Sequence, residues 1–298
     1  MLELRVLQPD DQPSLEAFLL PRIASSMFLL GNSRVAGLCD RGERLQGTYA
    51  AAFEDGTMVG VVAHFWNGNT ILQAEHHGPA LCRHAVRESQ RPLVGLLGPS
   101  AQVASLLAAF AIEPAQLRLD SIESLFHLPL ERLRIPPELA SGAVRARLAR
   151  EDDLPLVARW RAAYAVEALH EDDTPELLQS TYESERISID ARCLWLAERD
   201  SGPVAMTGFN ALLPEAVQIG GVYTPEPLRS RGYARVAVAQ SLFDARASGR
   251  RSALLFTGDD NPAAQRAYLA LGFERIGDYR LSMLEQPLTA ASVAQRAG

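Results

Sequence analysis

Cysteine is scarce in this chain. Cys39, Cys82 and Cys193 are the only three among 298 residues, widely spaced and odd in number. They cannot form a disulfide framework, and they read as reduced, mostly buried thiols of a cytoplasmic protein. Positive charge is in deficit as well: 29 Lys and Arg stand against 36 Asp and Glu, a formal net charge of −7. That balance excludes a general affinity for nucleic acid or for anionic membranes, both of which require clustered cations. No apolar run approaches the roughly 18 to 20 residues that cross a bilayer, and no basic-then-apolar leader opens the sequence. The expectation is a cytoplasmic protein with no membrane partner. Disorder is not expected beyond the ends, because 47% of the residues are hydrophobic. The length suits two domains of about 150 residues each.

The chain repeats itself. Val6-Leu-Gln-Pro-Asp10-Asp11-Gln-Pro13 runs parallel to Leu148-Ala-Arg-Glu-Asp152-Asp153-Leu-Pro155, each a short strand ending at an acidic pair that begins a helix. Carboxylates there accept from first-turn amides and complement the helix dipole, so the pairs are structural. Tyr49 to Ala63 and Leu194 to Gly208 both read as a strand, an Asp/Gly turn and a returning strand, followed by third strands at Thr70–Gln73 and Val217–Val222. The copies join around Arg134-Ile-Pro-Pro-Glu138, where paired prolines suit an exposed connection. The expected domains are 1–135 and 143–286, with 287–298 as a tail.

The copies diverge after the third strand. The first needs Gln73 to about Leu93 to reach its next buried strand. The second needs Val222 to about Ser252, roughly ten residues more. The excess falls on Arg229-Ser230-Arg231-Gly232-Tyr233-Ala234-Arg235, a turn leading into the apolar helix from Val236 to Ala247. A helix start offers bare amides and partial positive charge, to which a pyrophosphate is the natural guest. Gly232 permits close backbone approach, Ala234 leaves room, and Arg229, Arg231 and Arg235 add charge. Beyond the strand Ser252–Thr257 comes Asn261-Pro-Ala-Ala264-Gln-Arg-Ala-Tyr268-Leu-Ala-Leu-Gly272-Phe273. Asn261 and Pro262 suit the start of a helix and Gly272 its stop.

The order strand, Arg-x-x-Gly-x-Ala turn, helix, strand, Asn-x-x-Ala-x-x-x-Tyr-x-x-x-Gly-Phe resembles the GCN5-related N-acetyltransferase (GNAT) superfamily over about 140 residues. The resemblance implies an α/β (α+β) fold of two tandem GNAT-like domains, each a mixed, mostly antiparallel sheet flanked by helices, with the N-terminal copy degenerate. It implies acetyl-coenzyme A as co-substrate, no metal, and a primary amine of a small molecule or peptide as acceptor. Val222, Tyr223 and Thr224 would line the pantetheine arm, Arg229, Ser230, Arg231, Gly232, Tyr233 and Ala234 would hold the pyrophosphate, and Asn261 would contact the arm near its far end. The amide of Val222 would stabilise the oxyanion, and Tyr268 would give a proton to the departing thiolate.

The general base stays open. The strand Val217–Val222 has no carboxylate, which leaves a water chain, or a carboxylate or His from Glu167 to Glu185. Acceptor specificity is expected in the segment Asp172 to Ile189 and on the first copy. That copy has Ala101 and Ala108 where the second has Asn261 and Tyr268, and its turn His76-His77-Gly78-Pro79-Ala80 lacks the arginine pattern, so it reads as catalytically silent. The grouping of His76, His77, Cys82 and His84 fits no zinc spacing. Two other functions compete: a non-catalytic acyl-coenzyme A-binding regulator, and an aminoacyl transferase working from charged tRNA.

Overall fold

The acidic pairs are built alike. Arg5 grips Asp11 through Nη1 and Nη2 at 2.6 and 2.7 Å, while the amide of Gln8 donates to Asp11 at 2.8 Å. Arg147 grips Asp153 at 2.7 and 3.1 Å, and the amide of Arg150 donates to it at 2.8 Å. In each copy, therefore, the second Asp fastens the incoming strand to the following helix.

These contacts come from a computed structural model, which describes residues 1–295. The first copy runs β1 (Leu2–Val6), α1 (Gln12–Leu19), α2 (Ile23–Ala36), β2 (Gly47–Glu54), β3 (Thr57–Phe65), β4 (Asn69–Gln73), α3 (Gly78–Ser89), β5 (Leu93–Pro99), α4 (Ser100–Ala109) and β6 (Leu117–Pro129). After the short α5 (Pro137–Ala140) the same order returns. It comprises β7 (Arg145–Leu148), α6 (Leu154–Leu169), α7 (Pro175–Asp190), β8 (Leu194–Arg199), β9 (Gly202–Leu212), β10 (Ala216–Tyr223), α8 (Tyr233–Ala247), β11 (Ser252–Gly258), α9 (Pro262–Leu271) and β12 (Glu274–Leu288), followed by α10 (Ala290–Gln295).

Pairing repeats as faithfully as order. Strands β1 to β4 are antiparallel and β4 is parallel to β5; strands β7 to β10 are antiparallel and β10 is parallel to β11. Helix α3 has 12 residues and α8 has 15, so part of the length difference between the copies lies in this helix.

The compact units are nevertheless cut differently from the sequence halves. Unit 1 is Met1–Ser124 with the chain from Gly277 onward, and unit 2 is Leu125–Ile276. The closing strands account for this. In unit 1, β12 lies antiparallel to β5, from Tyr279 opposite Pro99 to Leu288 opposite Leu93. In unit 2, β6 takes the place beside β11, and Phe126 and Leu128 join Ala253 and Leu255 in one core. The segment expected as a tail also contributes to unit 1, where Val293 packs with Leu81, Ala85 and Leu284.

One expectation about apolar length is corrected. The helical stretch Pro9–Ala36, 28 residues, is long and apolar enough by length and composition to cross a bilayer. Counting uninterrupted apolar residues misses it, because Ser, Asn and Arg are interspersed. A turn at Leu20–Arg22 divides it into α1 and α2, and Leu15, Leu19, Leu29 and Leu30 are fully buried. Of the three cysteines, Cys82 and Cys193 are buried and Cys39 is exposed.

The Arg–Asp fastenings predict acid sensitivity. The hydrogen bonds from Arg5 hold the Asp11 carboxyl below its ordinary range. Burial pushes the Asp153 carboxyl up, but Arg147 and the Arg150 amide outweigh it and hold it low. A folded-state value below the unfolded one stabilises the protein above about pH 4, and the contribution disappears as pH falls through the folded value. Asp11→Asn and Asp153→Asn should each cost about 1–2 kcal/mol at pH 7. Urea melts should show that cost shrinking as pH falls below about 4.

Candidate active site

The site in unit 2 begins with a failure of pairing. Strands β10 and β11 match from Ala216 opposite Ser252 to Gln218 opposite Leu254, and among the described residues the ladder ends there. Beyond that point β10 follows β9 instead, through two irregularities. The first leaves Asn210 as an extra residue on β9, since Gln218 faces Ala211 and Ile219 faces Phe209. The second leaves Gly221 and Val222 without opposite numbers, since Gly220 faces Gly208 and Tyr223 faces Met206. Bulges bend and twist the strand that carries them, so β10 turns away from β11 and leaves backbone groups open along the gap. Gly221 takes the left-handed φ of +56° that this bend needs.

Past the gap the chain turns into α8. Ser230 and Gly232 are both left-handed, at φ 63° and 78°. Gly232 is the N-cap of α8 and supplies no side chain to its first turn. The first hydrogen bond of the helix runs from Val236 N to Gly232 O at 3.2 Å, which leaves the amides of Tyr233, Ala234 and Arg235 pointing out of the helix end. Thr224 Oγ1, between gap and helix, is buried without a hydrogen-bond partner. A bent backbone, a bare helix end and an orphaned hydroxyl fit an elongated ligand with an anionic group at one end.

The expected site residues divide by environment. Val222 packs on the apolar cluster of Val217, Ile219, Leu271 and Tyr268, so the gap and the phenol share one core. Tyr268 is 7% exposed, with its ring 5.9 Å from that of Phe273 and 6.4 Å from that of Phe126. Asn261 caps α9, accepting from Ala264 N at 3.0 Å. Ser230 and Arg231 are exposed beside the helix end, and Arg231 donates to Pro227 O at 3.3 Å. Tyr233 is buried among Val204, Ala205 and Val236, so its backbone rather than its ring faces the opening. Ala234 is half-buried at the same helix end.

Arg229 is turned aside. Its Nη2 pairs with Glu167 on α6, and its Nε donates to Thr224 O at 2.9 Å. Tyr223 joins this group by donating to Glu167 at 3.2 Å, and burial followed by the nearby Glu167 charge raises its phenol above the ordinary value. Arg235 is held by Glu138 at 3.0 and 3.1 Å.

Three contributors carry no signal in the sequence motifs. Arg161 on α6 lays its guanidinium against Gly221, where a Cβ would fall on it. Glu185 on α7, 2% exposed, accepts from Arg161 Nε at 2.6 Å, and its Oε2 has no partner. Asn210 covers Gly220 in the same way. The Gly220-Gly221 pair was the available signal; Arg161 and Glu185 stand 24 residues apart and carry none. Glu185 nonetheless closes the segment Glu167 to Glu185, in which a carboxylate base is one of the expected alternatives.

Unit 1 fills the corresponding places. Gln73 Oε1 accepts from Ser25 and Ser26 at 2.7 and 3.0 Å, and Gln102 Oε1 takes the amide of Ala74 at 2.7 Å. Leu106 comes within 3.0 Å of where a Cβ on Gly78 would lie, at the tip of α3. Among the described residues no three His, Cys, Asp or Glu side chains gather as a metal group.

Residues 159–273 match the model of the Acetyltransferase (GNAT) family. Unit 2 contains a GNAT domain. The GNAT family transfers acyl groups from acyl-coenzyme A, and its match lies wholly within that unit. Solved structures with the same fold include a Drosophila protein at 12% identity, covering 94% of this chain and 98% of that one with a TM-score of 0.64. A GCN5-related N-acetyltransferase from Sphaerobacter thermophilus shares 16% identity, with 97% and 96% covered and a TM-score of 0.56. A tandem GNAT protein from the clavulanic acid biosynthesis pathway shares 13%, with 97% and 99% covered and a TM-score of 0.56. No curated protein matches the sequence.

The buried Arg161–Glu185 pair in the GNAT domain predicts a non-additive mutant series. Arg161→Ala leaves a desolvated carboxylate and should cost about 3–5 kcal/mol. Arg161→Met with Glu185→Leu removes both charges and should recover most of that loss in chemical denaturation.

Proposed function

We propose that unit 2 transfers an acetyl or related acyl group from acyl-coenzyme A to a primary amine of a small molecule or peptide by direct attack. The observation that carries this reading is the bare start of α8 beside the opened edge of β10. The diphosphate would meet the amides of Tyr233, Ala234 and Arg235, with Arg231 and Ser230 alongside. The pantetheine arm would lie along Val222, Tyr223 and Thr224, with Asn261 near its far end and the free hydroxyl of Thr224 as a partner. Arg229 would reach the diphosphate only by leaving Glu167.

A neutral amine attacks the thioester carbon and forms the C–N bond. The carbonyl oxygen gains charge that the Val222 amide can receive, because the bulge leaves that residue without an opposite number. The C–S bond then breaks and Tyr268 gives the leaving thiolate a proton, while the proton lost by the amine passes to a base or to water. Unit 1 takes no catalytic part in this reading, since Gln73 and Ala74 are already satisfied by its own side chains.

Calorimetric titration should show coenzyme A binding to the whole protein. Gly232→Val, which forces a branched residue to φ 78°, should weaken binding about tenfold or more. Thiol release with acetyl-coenzyme A and a panel of primary amines should fall about 100-fold in Tyr268→Phe with coenzyme A affinity retained. Tight binding without turnover of any amine would favour a regulator, and absence of binding would refute the proposal.

A further inference from the structure

The face of β10 directed towards α6 and α7 holds an arrangement that acyl-coenzyme A binding leaves unused. Arg161 has five N–H donors, and only Nε finds a protein acceptor among the described residues, the Oε1 of Glu185 at 2.6 Å. Nη1 and Nη2 lie against Gly221, and Nη2 comes within 3.7 Å of a Cβ position on Gly208. The Arg161 side chain is 18% exposed and that of Glu185 only 2%. The guanidinium is therefore fixed from behind by a buried carboxylate while its two-pronged end remains within reach of solvent. The buried hydroxyl of Thr181 donates to Ala158 O at 3.0 Å, tying α7 to α6 close to both members of the pair.

Such a fork matches the two oxygens of a carboxylate, and a guanidinium already oriented by a buried carboxylate offers its free N–H groups with little further loss of freedom. The missing side chain of Gly221 is what lets the guanidinium lie flat against β10. Its position specifies what the carboxylate belongs to. Gly221 adjoins Val222, whose amide faces the thioester in the reading above, so an anion held by Arg161 lies next to the reacting amine. In an α-amino acid a single carbon separates amine from carboxylate.

We infer that Arg161 is the specificity-determining residue for an acceptor that carries a carboxylate next to its amine, with Glu185 as its positioning residue and Gly221 as the clearance. This rests on the acyl-transfer reading of unit 2 for the identity of the acceptor, but the anion site can be tested apart from turnover.

The test compares L-amino acids with their α-carboxamides, such as alanine with alaninamide and lysine with lysinamide, on the full chain. With coenzyme A present, thermal melts should show saturable stabilisation by at least one acid and none by its amide. In thiol release the acid should lead the amide in kcat/KM by about 10–100-fold. The amide has the less basic amine and so more of it neutral, which biases the comparison against this outcome. Arg161→Lys keeps the charge beside Glu185 but loses the fork, and should abolish the preference through KM while coenzyme A affinity is unchanged. Amides equal to or better than acids, no acid acting at all, or an unchanged preference in Arg161→Lys would overturn the inference. Loss of coenzyme A binding in the unaltered protein would instead overturn the acyl-transfer reading.

Discussion

Everything proposed for unit 2 depends on two strands parting company. If β10 stayed paired with β11 beyond Gln218 and Leu254, its amides and carbonyls would be consumed by the sheet. The parting is imposed from the other side. An extra residue on β9 at Asn210 and a second irregularity at Gly221–Val222 rotate β10 off its parallel neighbour. Gly221 is indispensable there twice over, once for its left-handed φ and once because Arg161 occupies the space of a side chain. The same bend that frees the backbone for a co-substrate thus also seats the guanidinium on the opposite face.

Unit 1 shows what happens to the same frame without these devices. Its β4 and β5 pair over Asn69–Ile71 and Gly95–Leu97, and Gly98 then comes close to the backbone of Leu72. The polar groups beyond are taken by Ser25, Ser26 and Gln102, and the α3 tip is covered by Leu106. Burial of a polar group without a partner is costly, so a copy that gives up its ligand must supply internal partners. Buried atoms without a partner occur in both units, Asn69 Oδ1 and Thr70 Oγ1 on β4 among them, but in unit 2 Thr224 Oγ1 lies between the opened edge and the bare helix end, where a ligand would complete it.

Much of this was legible in the sequence because it is local. The acidic pairs, the strand-turn-strand units, the turn around Gly232 and the Asn261 cap each need only a few consecutive residues, and Arg147 meets Asp153 six positions away. The exchange of closing strands was not legible. Both β6 and β12 are plausible partners for either β5 or β11, and the choice is made by packing between residues more than a hundred positions apart. The bulges were equally hidden, since strand register depends on the neighbour and not on the strand itself. The Arg161–Glu185 pair joins two helices through one hydrogen bond, and no spacing rule announces it. Arg229 reads as a phosphate ligand from its motif, yet here it is drawn to Glu167, a residue 62 positions earlier.

Hydrogen exchange with and without coenzyme A addresses the parted strands and the bare helix end most directly. Slower exchange is expected on binding at the amides of Tyr233 to Arg235 and at Gly221 to Thr224, with the strands β1 to β4 of unit 1 unchanged. Binding accompanied by protection elsewhere, with those amides exchanging as before, would contradict that expectation.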